Sequence, residues 1–153
     1  MGATTFTGPV RAGNILNTSG TTLGTDIANV GIVEMVQTAA ITQSGGVLST
    51  TPIVIPANSQ IVNIIIWTTA VWVTTTTLGV GTTASATAFT AAGAVTGLGT
   101  LGQFNVTPGT SLTQIANWID VGATDVQLAI STSTGSGTGW ITVKYVQANN
   151  LTP

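Results

Sequence analysis

Apolar and polar residues alternate with period two through most of this chain, the pattern of strands that turn one face to a core. The run Gly31 to Thr42 sets Val33, Met35, Ala39 and Ile41 on one side and Glu34, Thr38 and Thr42 on the other. Thr51 to Pro56 reads as a short strand bounded by prolines, which belongs at an edge or at a strand start. From Ile61 to about Thr75 both alternating sets are apolar, Val62, Ile64 and Ile66 against Ile61, Ile65 and Trp67, so this strand is expected to be covered on both faces. Shorter strands are expected over Thr76 to Gly81, Ala84 to Ala91 and Thr100 to Val106, and a short helix or helical turn over Ser111 to Trp118. Near the end, Val126, Leu128 and Ile130 share one face of a strand, and Ile141, Val143 and Tyr145 share one face of the next. The Gly- and Ser-rich stretch between them reads as a hairpin loop, so these six side chains are predicted to be buried together.

Residues up to Asn29 scatter a few apolar side chains among Gly, Pro, Asn and Thr, too sparsely for a core of their own. The predicted organisation is an extended N-terminal arm over 1–29 and one all-β domain over 30–153, an antiparallel β-sandwich or a jelly-roll-like fold. No fixed-period repeat is present, which disfavours a solenoid.

Composition sharpens this. About a fifth of the chain is threonine, a β-branched residue that suits strands. The 153 residues include no histidine and no cysteine, and charged side chains are 4% of the total: Arg11, Asp26, Glu34, Asp120, Asp125 and Lys144. Soluble domains carry about 25%. A surface with so little charge suits burial against other protein, and the missing residue types remove most catalytic and metal-binding chemistry. There is no basic stripe for phosphates, so no nucleic-acid partner is expected. Ile61 to Val73 is too short to cross a bilayer, so no membrane role is expected, and the N-terminus lacks the pattern of a signal peptide.

Four features could carry chemistry. Gly97 to Gly102 matches a dinucleotide-binding GxGxxG, but Pro108 and its surroundings will not open the helix that motif requires. Asp120 and Asp125 flank a Gly-containing turn, where carboxylates accept nearby backbone amides. Lys144, the one lysine available as a base for a hydroxyl nucleophile, lies mid-strand on a polar face, where it reads as a solvated or ion-paired side chain. Three Asn-x-Thr/Ser triplets, at Asn17, Asn105 and Asn150, are chance matches in a Thr-rich chain. No catalytic, cofactor or metal site is therefore expected. The aromatic residues carry more. Trp72 and Trp140 fall opposite the apparent core sets, and with Trp67 they are the interface candidates of the domain; Phe6, Val10 and Ile15 are those of the arm.

Three runs carry a family resemblance: Thr51-Pro-Ile-Val-Ile-Pro-Ala-Asn-Ser-Gln-Ile-Val-Asn-Ile, Val121-Gly-Ala-Thr-Asp-Val-Gln-Leu and Gly139-Trp-Ile-Thr-Val-Lys-Tyr-Val-Gln. With the opening Thr-Thr-Phe-Thr-Gly-Pro-Val-Arg-Ala-Gly, they resemble small virion proteins of tailed bacteriophages, in particular cyanophages. The resemblance spans most of the chain in short phrases rather than a strict motif. It implies a structural protein of the virion, above all a capsid decoration (cement) protein. Such a protein is a β-rich trimer that clamps the major capsid protein and is made in the host cytoplasm. A tail, fibre or host-adhesion component is the alternative. No site residues carry over.

Overall fold

The structure, a computed structural model, describes residues 32–43, 45, 48–73, 78–91, 95 and 97–148. Phe6, Val10, Ile15 and the expected arm lie outside them. Ile32–Ala148 forms one compact unit.

Among the described residues seven strands and one helix follow in the order β1 (Ile32–Thr42), β2 (Leu48–Ile55), β3 (Ser59–Ala70), β4 (Gly79–Thr82), β5 (Gly102–Val106), α1 (Leu112–Ile119), β6 (Val126–Ser131) and β7 (Thr138–Ala148). They make two antiparallel sheets, β1-β7-β3-β5 and β2-β6-β4. Strands of odd number lie in the first sheet and strands of even number in the second. Every connection between successive strands therefore crosses the core. The result is an all-β sandwich of jelly-roll type, a fold built on eight strands. The eighth position is reduced here to a single bridge, Val80 to Thr90, beside β4.

Alternation places the core correctly. Leu128, Ile130, Ile141, Val143 and Tyr145 are buried together, with Val126 packed partly buried against them. Ile53, Ile55, Ile61, Ile64 and Ile66 complete the facing layers. Strand partners differ from the sequence reading. Residues 131–139 were expected to close a hairpin, but β6 pairs with β2 and β4 while β7 pairs with β1 and β3. That stretch instead carries the chain from one sheet to the other. Its glycines answer to close approach rather than to a turn: a Cβ on Gly137 would stand 2.5 Å from the Trp72 ring, and one on Gly135 would collide with the Gln43 carboxamide.

Other boundaries shift for local reasons. The long strand expected to reach Thr75 ends at Ala70, after irregularities between Ile61 and Asn63 and between Thr68 and Ala70. Ala84 to Ala91, expected as a strand, is mostly turns; Thr82 and Ser85 exchange backbone hydrogen bonds, and only Thr90 pairs. Helix α1 forms as expected, with Ser111 as its N-cap. Three of its side chains grip three successive carbonyls of that turn region: Gln114 Nε2 donates to Thr87, Asn117 Nδ2 to Ala88 and Trp118 Nε1 to Phe89, at 2.8, 2.8 and 2.7 Å.

Side-chain amides also close the gaps between strands. Gln37 Nε2 donates to the Val54 carbonyl at 2.7 Å and to the Tyr145 hydroxyl at 2.7 Å, while its Oε1 accepts from Val54 N–H. Gln43, buried where β1 ends, accepts from Val73 and Gly137 N–H and donates to Ser133 Oγ and the Thr134 carbonyl. It ties together the crossovers that follow β3 and β6. Gln43→Ala should cost about 2 kcal/mol, because the buried Gly137 N–H loses its acceptor. Urea denaturation checks this, with a lower midpoint and an unchanged slope expected.

Candidate assembly surface

The two faces of the four-stranded sheet differ sharply. Its inner face is the core. Its outer face is assembled row by row from register. One row runs Ala40, Trp140, Trp67, Gln103 across β1, β7, β3 and β5. The next runs Thr38, Thr142, Ile65, Asn105. A third holds Val36, Lys144 and Asn63. Trp67 and Trp140 are directly opposed on neighbouring strands, about 5 Å apart at Cβ. They are 48% and 47% exposed, so about half of each large side chain meets solvent. Val36 and Val62 extend the exposed apolar surface along the same face.

What surrounds the tryptophans is neutral. Thr38 and Thr142 share a hydroxyl hydrogen bond at 2.9 Å, and Thr69 and Thr138 share one at 3.0 Å. Each pair bridges adjacent strands. Along β7 the nearest charge is Lys144, four residues from Trp140, which is about 13 Å. A face centred on two half-exposed indoles, with its charges Glu34 and Lys144 toward one end, has the composition of an interface core rather than of free solvent-facing surface.

The interface candidates thus separate. Trp67 and Trp140 come together on this face. Trp72 does not join them and is corrected: it is fully buried in the core, packs on Gly137, and its Nε1 donates to the Thr138 carbonyl at 3.3 Å. The reason is its place beyond the end of β3, where the chain turns inward to cross between sheets. Burial there continues the even-numbered set of Ile64, Ile66 and Thr68, with Val71 and Val73 exposed, so it is the face of β3 opposite Trp67 that leads into the core. A second exposed apolar group, Leu112 and Ile119 on α1, was not anticipated. It lay hidden in a helix too short for a periodic signal.

The other candidates have structural employment. Asp120 Oδ1 accepts from Gly122 N–H and Asp125 Oδ1 from Ala57 N–H, both at 2.9 Å, which locks the β2–β3 corner to the turn after α1. The glycine motif is a turn leading into β5, with Gly97 and Gly102 at φ of 93° and 139°, not the start of a helix. Among the described residues no three acidic side chains gather as a metal site, and no helix is long and apolar enough to cross a membrane.

No protein family matches the sequence, and no curated protein does. Solved structures do. A chain of the cyanophage Pam1 capsid asymmetric unit superposes with a TM-score of 0.52 at 19% identity, over 85% of this chain and 96% of that one. A chain of the acid-stable capsid structure of Helicobacter pylori bacteriophage KHP30 superposes with a TM-score of 0.51 at 12% identity, over 76% and 92%. At these identities the likeness is one of fold, spanning nearly the whole of each matched chain.

Proposed function

We propose that this chain is a non-enzymatic structural protein of a bacteriophage virion, a decoration or cement protein that binds the major capsid protein and stabilises the shell. The observation that carries the reading is the shared fold with chains of two phage capsid structures, over nearly their full length. Those chains are therefore close to this one in size, which suits an accessory subunit. The neutral Trp67–Trp140 face supports the same reading, since a subunit held permanently in an assembly presents an apolar contact surface. In this reading the protein is a homotrimer, is made in the host cytoplasm and works on the virion. Residues 1–29, with Phe6, Val10 and Ile15, form an arm that helps hold it on the shell. Neither nucleic acid nor membrane takes part.

The test is addition of the purified protein to undecorated capsids. Saturable binding is expected, at a copy number fixed by the symmetry of the shell. Because the face carries almost no charge, affinity should stay nearly constant from low salt to about 1 M. Absence from heads together with immunogold label on tails would replace this reading with that of a tail or host-adhesion component.

A further inference from the structure

The two sheets have four edges, and three of them are protected. In β2, Pro52 lies within an irregularity between Thr50 and Val54, and the Gln37 carboxamide occupies both backbone groups of Val54. In the same stretch Thr51 Oγ1 donates to the Leu128 carbonyl and accepts from Ile53 N–H. Strand β4 has four residues, and Phe89 and Thr90 N–H both donate to its Val80 carbonyl. Strand β5 has five residues. Short edges, proline, bulges and covering groups are the ways proteins keep a sheet from adding strands.

Strand β1 has none of these. It runs for eleven residues without proline or glycine, its register against β7 is unbroken, and its one charge is Glu34. Among the described strands it pairs with β7 alone. Apolar side chains stand exposed on both of its faces, Met35 on one and Val36 on the other. A long, regular edge with a single charge and apolar flanks is a template for another strand.

We infer that this edge receives an extended strand from residues 1–31 of a neighbouring copy of the same chain, so that each copy's N-terminal segment completes the next copy's four-stranded sheet. The inference rests on the proposed assembly and specifies what the arm grips. Every strand among the described residues is already seated in a sheet, and outside Ile32–Ala148 a second copy has residues 1–31 and 149–153 from which to supply a new one. Five residues cannot match an eleven-residue edge. Thirty-one can reach roughly 100 Å when extended, enough to cross to a neighbour. Exchange around a ring is a head-to-tail contact that closes, as a trimer requires.

The chain has no cysteine, so engineered disulfides report without background. Full-length Val36→Cys or Ala40→Cys protein is mixed with a differently tagged chain carrying one cysteine at successive positions from 5 to 25. Both are oxidised, free and bound to capsids, with Ala123→Cys as the remote control. Interchain disulfides recurring at every second arm position are expected, since a paired strand shows alternate side chains on one face. Disulfides that form only when both cysteines sit in one chain would overturn the inference in favour of the chain's own segment. Cross-links of Ala40→Cys only to itself would overturn it in favour of β1–β1 pairing. No disulfides above the control, free or on capsids, would overturn it outright. Protein that cross-links as expected but fails to bind capsids keeps this inference and removes the decoration reading.

Discussion

Trp72→Ala should be the most damaging single substitution in the domain, lowering stability by roughly 3–5 kcal/mol. For a domain of this size that is a drop in Tm on the order of 10–20 °C, measured by calorimetry. The ring is wholly buried, its backbone N–H donates to the Leu98 carbonyl, and its indole packs against a glycine that leaves no space for any other residue. Removing it opens a cavity where two crossovers and the end of β1 meet. Little nearby can collapse into the gap, because Gln43 is held by four hydrogen bonds across it. Domains of this kind have about 5–15 kcal/mol in hand, so the variant should also be prone to aggregate. Trp140→Ala is the matched control and should change stability by no more than about 1 kcal/mol. If Trp72→Ala melts where the unmodified chain does, the ring is not part of the core.

The contrast between these two tryptophans shows what the sequence can reveal and where it stops. Period-two alternation tells which way a side chain points only while the strand is regular. Along β7 it is regular, and Ile141, Val143 and Tyr145 are inward while Trp140 is outward, as the pattern predicts. Along β3 an irregularity between Ile61 and Asn63 puts both Ile61 and Ile64 inside, so no single parity describes the strand. Past Ala70 the chain has left the sheet, yet Trp72 keeps the even-numbered parity of Ile64 and Ile66; with both sets of β3 apolar, the sequence does not show which of the two is the core.

Pairing is less legible still. Alternation assigns a face, not a neighbour, and in this fold no two successive strands share a sheet. The Gly-rich 131–139 stretch had the composition of a hairpin turn, yet Gly135 and Gly137 are small because Gln43 and Trp72 pack on them. The same residue type serves a bend in one case and close approach in the other, and only the fold distinguishes them. The candidate face was half legible: Trp67 and Trp140 stood out as exposable aromatics. That they are opposed across β3 and β7, 73 residues apart in sequence (140 − 67), is a product of register that no local pattern contains.

Replacing both tryptophans, Trp67→Ser with Trp140→Ser, should leave the fold intact and strip the protein from capsids. Both side chains are half exposed on the outer face, so their loss opens no interior cavity, and Tm should fall by only a few degrees. At an interface the same rings are the residue type in which binding energy concentrates, at roughly 2 kcal/mol or more each. Because they are direct neighbours their effects are coupled and need not add. Affinity for undecorated capsids should weaken on the order of a hundredfold, read by titrating capsids and counting bound copies. Leu112→Ser on α1 is the control for general loss of apolar surface: it removes a more exposed side chain from a different part of the molecule and should leave capsid occupancy near that of the unmodified protein. If the double variant saturates capsids at the unmodified concentration and copy number, the outer face of β1-β7-β3-β5 is not what meets the shell. Loss of binding in Leu112→Ser alone would then move the contact to the helix side of the sandwich.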